Sequence, residues 1–327
     1  MNSDLVSDSV PLSRRGLLAA AGATLLLAAC TRGEAAGAVI GYQRGGILYL
    51  AKSRGDFERR LAARGVPVKW VEFASGPPLV EAMRSGAIDI GFVGDTPLAY
   101  AQASGSPIIY VAAQVVPDTT GGLIVRRDSP IRDVAGLRGR RLAFTKGSAA
   151  ELSAVIALRA AGLSITDIEP VYLTPADSMA AFVSGKIDAW LTWEPYLSLS
   201  DARIGIRSIP IDRGGLKSIA YYLAGRSFAD QQPDVVTHIL DELRIEAAWA
   251  RAHIPKTVEI AAQATGLPLP IQQKIYDRYG STIFAVDRLS PEIVANQQRV
   301  LDLLRAAGVV DHPVDARAAA WTRWQPV

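Results

Sequence analysis

The chain carries one five-residue pattern twice, as Ser85-Gly86-Ala87-Ile88-Asp89 and as Ser184-Gly185-Lys186-Ile187-Asp188. Four of the five positions are identical, and each copy follows an apolar helical pattern and precedes an apolar strand pattern. In both copies the glycine is positioned to end the helix in a left-handed conformation, and the aspartate to begin the strand. Two copies of one helix-to-strand junction predict two similar lobes.

Strands and helices alternate around each copy. The first copy ends a predicted series of strand, helix, strand, helix, strand at 38–42, 46–54, 68–73, 78–85 and 88–93, and the second ends the same series at 141–144, 148–161, 168–173, 176–184 and 187–192. This alternation is typical of mostly parallel sheets with helices on both faces, so the fold class is α/β. Apolar segments at 119–125 and 219–225 flank the second series and are predicted as two hinge strands that cross between the lobes.

These patterns divide the chain into five segments. We predict an export signal with a lipobox at 1–30, a tether at 31–37, the first part of lobe 1 at 38–121, lobe 2 with the hinge strands at 122–222, and a return to lobe 1 at 223–327. The last segment carries helical patterns at 233–253, 271–279 and 291–307.

The amino terminus has the pattern of an export signal. Ser13-Arg14-Arg15 precedes an apolar run at 16–29, which is shorter than a membrane span. The arginine pair is similar to a twin-arginine signal, and the general secretory route stays open. Leu27-Ala28-Ala29-Cys30 resembles the bacterial lipobox. We therefore expect an exported protein, in the periplasm or on the outer face of the cytoplasmic membrane, with a lipid anchor on Cys30.

Composition excludes several classes of protein. Of 327 residues 49% are hydrophobic and 20% charged, which is typical of globular proteins and not of collagenous, disordered or many-span membrane proteins. One cysteine and three histidines exclude a disulfide scaffold and a Cys/His zinc module. A net charge of +3 gives no indication of nucleic-acid binding. We expect a monomer without metal or cofactor.

Ligands of open α/β sheets bind at the carboxyl ends of the strands. Gly94-Asp95-Thr96 and Trp193-Glu194-Pro195 leave corresponding strands of the two series. The two loops are therefore predicted to form the walls of a cleft between the lobes.

Several segments together resemble a known family. They are Gly41-Tyr42-Gln43, Gly94-Asp95, Phe144-Thr145-Lys146-Gly147-Ser148, Val171-Tyr172-Leu173-Thr174-Pro175-Ala176-Asp177, and Asp188-Ala189-Trp190 with Trp193-Glu194-Pro195-Tyr196. From about Ala38 to Trp324 the chain is similar to the periplasmic aliphatic sulfonate-binding proteins of ABC importers. The resemblance implies a type II periplasmic-binding-protein fold, closure of two lobes on a small organic anion such as an alkanesulfonate, and delivery to a membrane permease and, through it, an ATPase. Binding of taurine, nitrate or a thiamine precursor remains an alternative.

Two helix starts are the predicted anion-binding groups. Ser148 begins a helix, and the free amides there, including that of Ala149, favour a negative charge. Thr96-Pro97 begins a helix in the first lobe, where plain capping is the alternative role of the Thr96 hydroxyl. Lys146 lacks the upstream glycine run of a phosphate-binding loop, so an NTPase is excluded. Relatives carry more hydroxyl side chains after Ser148, which leaves the backbone amides as donors here.

Four more side chains complete the predicted site. Trp193 offers a flat apolar wall to an alkyl chain, whereas strand alternation favours a core position for Trp190. Glu194 either pairs with a cationic ligand group or clamps the two lobes. Gln43 either donates to a sulfonate oxygen or fixes its own loop.

An enzyme is the alternative from another class. Thiamine pyrimidine synthases resemble binding proteins but carry a histidine and a cysteine-rich segment. Here His238, His253 and His312 fall in a long helix or in the tail, away from predicted strand ends. We therefore predict no catalytic residues and no enzymatic activity, with a lipid-anchored sensor or scaffold as a third possibility.

Overall fold

The computed structural model describes residues 37–325, which contain two five-stranded sheets with helices packed against them. The predicted export signal and Cys30 lie outside the described residues. Within the described range, no helix combines the length and apolar character that crossing a membrane requires.

The first sheet defines lobe 1 and has the strand order β2-β1-β3-β10-β4. Its strands are β1 (Ala38–Tyr42), β2 (Val68–Glu72), β3 (Ile90–Gly94), β4 (Ile108–Val115) and β10 (Ile219–Gly225). Strand β1 is parallel to β2 and β3, and β10 is antiparallel to both β3 and β4.

The second sheet defines lobe 2 and has the order β7-β6-β8-β5-β9. Its strands are β5 (Gly121–Arg126), β6 (Arg141–Phe144), β7 (Glu169–Tyr172), β8 (Ala189–Trp193) and β9 (Ile206–Ile209). Strand β6 is parallel to β7 and β8, and β5 is antiparallel to β8 and β9. The two sheets therefore share one arrangement, with a single antiparallel strand in fourth place.

The two predicted hinge strands correspond to β5 and β10, the fourth strands of the two sheets, and the structure differs from the prediction there. Both segments are strands, but each lies wholly inside one sheet: β10 pairs along its length with β4, and β5 with β8. The chain crosses between lobes in the residues just ahead of them, at 116–120 and 210–218. Sheet 1 is thus rejoined at Ile219, earlier than the predicted return at 223. A strand buried on both faces is apolar throughout, so its sequence does not reveal which sheet it joins.

Twelve α-helices lie among the described residues. In chain order they are α1 (Gly46–Arg54), α2 (Asp56–Ala63), α3 (Gly76–Arg84), α4 (Asp95–Ala103), α5 (Ala149–Ala160), α6 (Pro175–Val183), α7 (Tyr196–Ile204), α8 (Arg226–Gln231), α9 (Pro233–Ala252), α10 (Ile254–Thr265), α11 (Leu269–Tyr279) and α12 (Pro291–Ala306). The predicted elements are present with shifted ends, while α2, α7, α8, α10, β4 and β9 were not predicted. Helix α2 follows α1 across Gly55 alone, whose φ of 73° turns the chain.

The repeated junction has the predicted scaffolding role in both lobes. Gly86 and Gly185 have φ angles of 76° and 73°, in the left-handed region. An Asp89 carboxylate oxygen accepts a hydrogen bond from the Val39 amide at 2.8 Å, and Asp188 does the same for the Arg141 amide at 2.9 Å. In each lobe the aspartate therefore fixes the start of the neighbouring strand.

Apolar clusters hold the elements together and join the lobes. Helices α1, α2 and α9 to α11 pack on one face of sheet 1, where Trp321 and Trp324 complete the core. A separate cluster brings together Ala99 of α4, Leu152 of α5 and helix α12, so apolar contacts link the two lobes on this side. This packing brings the start of α5 close to lobe 1.

Candidate functional site

A cavity of about 680 Å³ lies between the two sheets. The ends of β3 and β8 contribute Gly94 and Trp193 to its wall, as expected for a cleft at the carboxyl ends of strands. A Cβ atom at Gly94 would lie 3.2 Å from the Cβ of Ala149, so the absence of a side chain permits the close approach of the lobes.

The cavity brings together most of the predicted site residues. Gln43, Gly94, Asp95, Ser148, Ala149, Trp193 and Glu194 all line it. Thr96 and Trp190 are not among the lining residues. Trp190 is 1% exposed and lies between the rings of Phe182 and Tyr196, with centroids 6.0 and 5.9 Å away. Trp190 therefore does not line the cavity, because the alternation of the strand turns its side chain toward the core.

The start of α5 leaves one amide free at the cavity. The Ser148 hydroxyl accepts from the Ala150 amide at 3.2 Å and donates to the Thr145 carbonyl at 2.6 Å. Nowhere in residues 37–325 is an acceptor found for the Ala149 amide. Ala149 lines the cavity, so this amide and the helix dipole provide a place for an anion.

The start of α4 differs from the prediction. Its N-cap is Gly94, without a side-chain cap. The Thr96 hydroxyl donates to the Asp95 carboxylate at 2.9 Å, and Asp95 is the first residue of the helix. Because Thr96 is the second residue of the helix, its hydroxyl cannot act as the predicted cap. A carboxylate already occupies this helix start, so an external anion is disfavoured there.

Asp95 is linked to an arginine that enters from a crossing segment. Asp95 is 1% exposed, and its Oδ2 lies 3.7 Å from Nη2 of Arg213. Burial raises the pKa of Asp95, and the Arg213 guanidinium opposes that shift. Nη1 of Arg213 donates to the Ser153 hydroxyl of α5 at 2.7 Å. Arg213 thus connects the two lobes beside the cavity, which it also lines.

A second open helix start faces the cavity at α1. Gly45 and Gly46 line the cavity and have φ angles of 102° and 75°. Helix α1 has neither a side-chain cap nor an acidic residue in its first turn. Within the described part of the chain, the Gly46 amide has no acceptor. Glycines at these left-handed positions leave the amides uncovered.

Glu194 clamps the lobes, as one of its two predicted roles requires. Its carboxylate accepts from the Ser198 amide and hydroxyl at 3.1 and 2.8 Å, in the first turn of α7. The same carboxylate lies 3.2 Å from Nε of Arg278, in α11 of lobe 1. Burial raises the pKa of Glu194, and the bonds from Ser198 and the Arg278 charge oppose the shift.

The amide of Gln43 and the ring of Trp193 also lie at the wall. Nε2 of Gln43 donates to the Phe92 carbonyl at 3.0 Å, which is the loop-fixing bond predicted as an alternative. Trp193 is half-buried at the end of β8 and packs against the lobe 2 core. Its remaining surface provides an apolar wall.

The cavity wall carries equal numbers of positively and negatively charged side chains. They are Arg44, Arg213 and Arg278 against Asp95, Asp118 and Glu194. No group of three potential metal ligands is found among the described residues. A small anion would therefore meet backbone amides and arginines already paired with carboxylates.

Sequence reasoning missed Arg213, Ser153 and the Gly45-Gly46 pair. Tandem glycines at the start of a predicted helix were an available signal for the open start of α1. Nothing in the local sequence distinguishes Arg213 from other loop arginines, because its role depends on a partner far away in the chain.

Two similar lobes, each with one antiparallel strand in fourth place that follows a crossing segment, and a cavity between them define the periplasmic-binding-protein fold. The chain belongs to the NMT1/THI5-like family, whose model matches residues 45–255.

Solved relatives have the same fold. The crystal structure of the periplasmic aliphatic sulphonate-binding protein SsuA from Escherichia coli is 36% identical, with a TM-score of 0.77, covering 89% of this chain and 92% of that one. The alkanesulfonate-binding protein SsuA from Xanthomonas axonopodis, bound to MOPS, is 33% identical with a TM-score of 0.80, covering 88% and 99%. The taurine-binding periplasmic protein of Escherichia coli is 29% identical over 53% of this chain and 54% of its own length.

Proposed function

We propose that this chain is the solute-binding protein of an ABC importer and captures an aliphatic sulfonate between its lobes. The observation that carries the proposal is the uncovered Ala149 amide at the start of α5, which lines the cavity beside Arg213. The names of the two SsuA relatives support the same ligand class. A sulfonate stays ionised at neutral pH, so backbone amides and a dipole bind it without taking up a proton.

The carboxylates of the cavity wall favour a simple sulfonate over taurine, because two of the three are paired with arginine and the third, Asp118, is exposed to solvent. Taurine carries an ammonium group that would need a free carboxylate. Asp95 is engaged with Arg213 and Thr96, and Glu194 with Arg278 and Ser198. Recruiting either carboxylate would break a buried pair, which is costly.

Binding without catalysis is part of the proposal. None of the three histidines lines the cavity. His253 stacks on Trp249, with ring centroids 4.8 Å apart, and His312 lies beside Asp311. These local contacts support structural roles.

The remaining parts of the proposal concern location and assembly. We propose export, a lipid anchor on Cys30, a monomeric state, and delivery of ligand to a permease coupled to an ATPase. Replacing Cys30 with alanine should release the protein from the membrane or leave its signal uncleaved. An unmodified Cys30 in the intact mass of the mature protein would contradict the anchor.

A thermal-shift screen followed by calorimetry tests the ligand class. Alkanesulfonates should raise the unfolding temperature, and taurine, sulfate esters and nitrate should do so less or not at all, because a bound ligand stabilises the folded state. Small-angle scattering should also show contraction with ligand, since contacts from both lobes favour closure. A response to nitrate alone would overturn the sulfonate assignment.

A further inference from the structure

Part of the cavity wall belongs to lobe 1. This part of the cavity, here called the apolar arm, is lined by Tyr49, Leu50, Ala261, Ile275, Tyr276 and Phe284. All six also belong to the lobe 1 core cluster between sheet 1 and its helices. The arm is therefore bordered by buried apolar side chains of the lobe 1 core.

Open space of this kind needs a physical reason. Protein cores are close-packed, and atoms that border a void lose the dispersion contacts that a neighbour would supply. Side chains that are buried and yet border open space are suited to an apolar occupant. The surroundings of the arm thus favour a ligand that completes the core.

One wall of the arm has an unusual backbone. Phe284 has a φ of 61°, in the left-handed region that bulky residues rarely adopt. Its side chain is 4% exposed, and its ring meets that of Tyr276 edge-on with centroids 5.5 Å apart. Strain of this kind persists where surrounding contacts hold a side chain in place, and it concentrates at ligand sites.

Helix α1 connects the two ends of the cavity. Gly46 lies at the open helix start, and Leu50 lines the arm four residues later. At 1.5 Å per residue the two positions are about 6 Å apart along the helix. An anionic group at the helix start therefore places a directly attached ring or a chain of several carbons in the arm, which methanesulfonate cannot reach.

We propose that the apolar arm makes this protein selective for sulfonates that carry a bulky apolar group and extends its ligands beyond aliphatic sulfonates to aryl sulfonates. This inference rests on the proposed function, because the sulfonate must occupy the helix starts for its substituent to enter the arm. Ala261 of α10 has the smallest of the six side chains, so we expect a larger side chain at this position to fill part of the arm. It is the specificity-determining residue of the proposal.

Calorimetry on the full mature chain with methanesulfonate and naphthalene-2-sulfonate tests the inference. We expect naphthalene-2-sulfonate to bind at least about tenfold more tightly, because its rings bury apolar area. Ala261→Leu should remove that advantage and leave methanesulfonate affinity within about twofold, since the helix starts are untouched. Ala264→Leu is the matched control, because Ala264 is exposed on the same helix.

The outcomes distinguish a failure of the proposed apolar arm from a failure of the proposed sulfonate-binding function. Equal affinities for both ligands, or an unchanged preference in Ala261→Leu, would overturn the arm while the sulfonate site stands. Failure of both ligands to bind would overturn the proposed function itself. If thermal unfolding shows that Ala261→Leu does not fold, Ala261→Val adds less volume and is subject to the same criteria.

Discussion

The helix starts of α4 and α5 occupy related places in the two lobes but differ in charge. In lobe 2 the Ser148 cap leaves the Ala149 amide free, and the first-turn carboxylate of Glu151 accepts from the Gly147 amide instead. In lobe 1 the first residue of the helix is itself the buried Asp95. A free amide favours an external anion, whereas a buried carboxylate at the first helical position disfavours a second negative charge. A repeated fold thus does not imply a repeated site, because one side chain decides whether a helix start is open.

The two copies of the repeated junction differ in a similar way. Asp188 accepts bonds from the Arg141 guanidinium at 2.9 and 3.0 Å, and these lower its pKa. Asp89 has the equivalent amide bond, but burial is its dominant influence and raises its pKa. Identical residues with the same backbone role therefore acquire opposite pKa shifts from their neighbours.

The largest expected effect comes from closing the open start of α5. Ala149→Pro removes the free N–H, and proline suits the first helical position because Ser148 has an extended φ and ψ of −97° and 168°. Loss of a charge-assisted hydrogen bond should cost about 1.5–3 kcal/mol, roughly a 10- to 150-fold rise in Kd for ethanesulfonate by calorimetry. Ala149→Gly keeps the N–H and is the control. Equal affinities of the two variants would show that this amide does not hold the anion.

Removing the Asp95 charge should make the start of α4 more favourable for an anion, as the start of α5 is. Asp95→Asn keeps the side-chain shape and an acceptor for the Thr96 hydroxyl but frees the Arg213 charge for a ligand. Sulfonate binding should tighten by about 1 kcal/mol, roughly fivefold in Kd. Weaker binding with an unchanged unfolding temperature would contradict the view that the Asp95 carboxylate makes this helix start unsuitable for anions.

The two junction aspartates should give opposite pH dependence of stability. Because the pKa of Asp188 is lowered, its contribution is present above the ordinary value of 3.8 and is lost as pH falls through the folded-state pKa. Because the pKa of Asp89 is raised, its contribution is present below 3.8 and is lost as pH rises through the folded-state pKa.

Denaturant unfolding of Asp188→Asn and Asp89→Asn at several pH values measures this difference. Relative to the parent protein, the destabilisation by Asp188→Asn should grow as pH rises, and that by Asp89→Asn should shrink. Each change should stay below about 1 kcal/mol, because both carboxylates are partly solvated. Parallel curves for the two variants would refute the assigned environments.

Lys146→Ala should have the smallest effect. Lys146 is exposed, lies 5.6 Å from the centre of the Tyr172 ring, and does not line the cavity. Water and salt screen such a charge, so Kd should change by no more than about twofold. A loss of binding equal to that of Ala149→Pro would replace the helix-start mechanism with a direct ion pair.

Local patterns predicted much of the fold and part of the site. The α/β alternation, the two copies and the start of α5 depend on periodicity, glycine and capping residues, all of which act within a few residues. Seven of the nine predicted ligand-site residues line the cavity, because strand ends and helix starts can be placed from such patterns. Thr96 was misplaced because helix α4 begins one residue earlier, at Asp95, whereas the inward position of Trp190 is the one that strand alternation favoured.

By itself the sequence determined that the chain forms two lobes of repeated strand and helix, since hydrophobic period and turn residues are local properties. Only the tertiary structure decided which sheet each strand beside a crossing segment joins, with β5 in the sheet of lobe 2 and β10 in the sheet of lobe 1. It also decided that Arg213 lies beside Asp95 and that Ala261 lines the cavity. Each of these joins residues far apart in the chain, and the free energy of such contacts depends on burial and distance that local pattern does not encode.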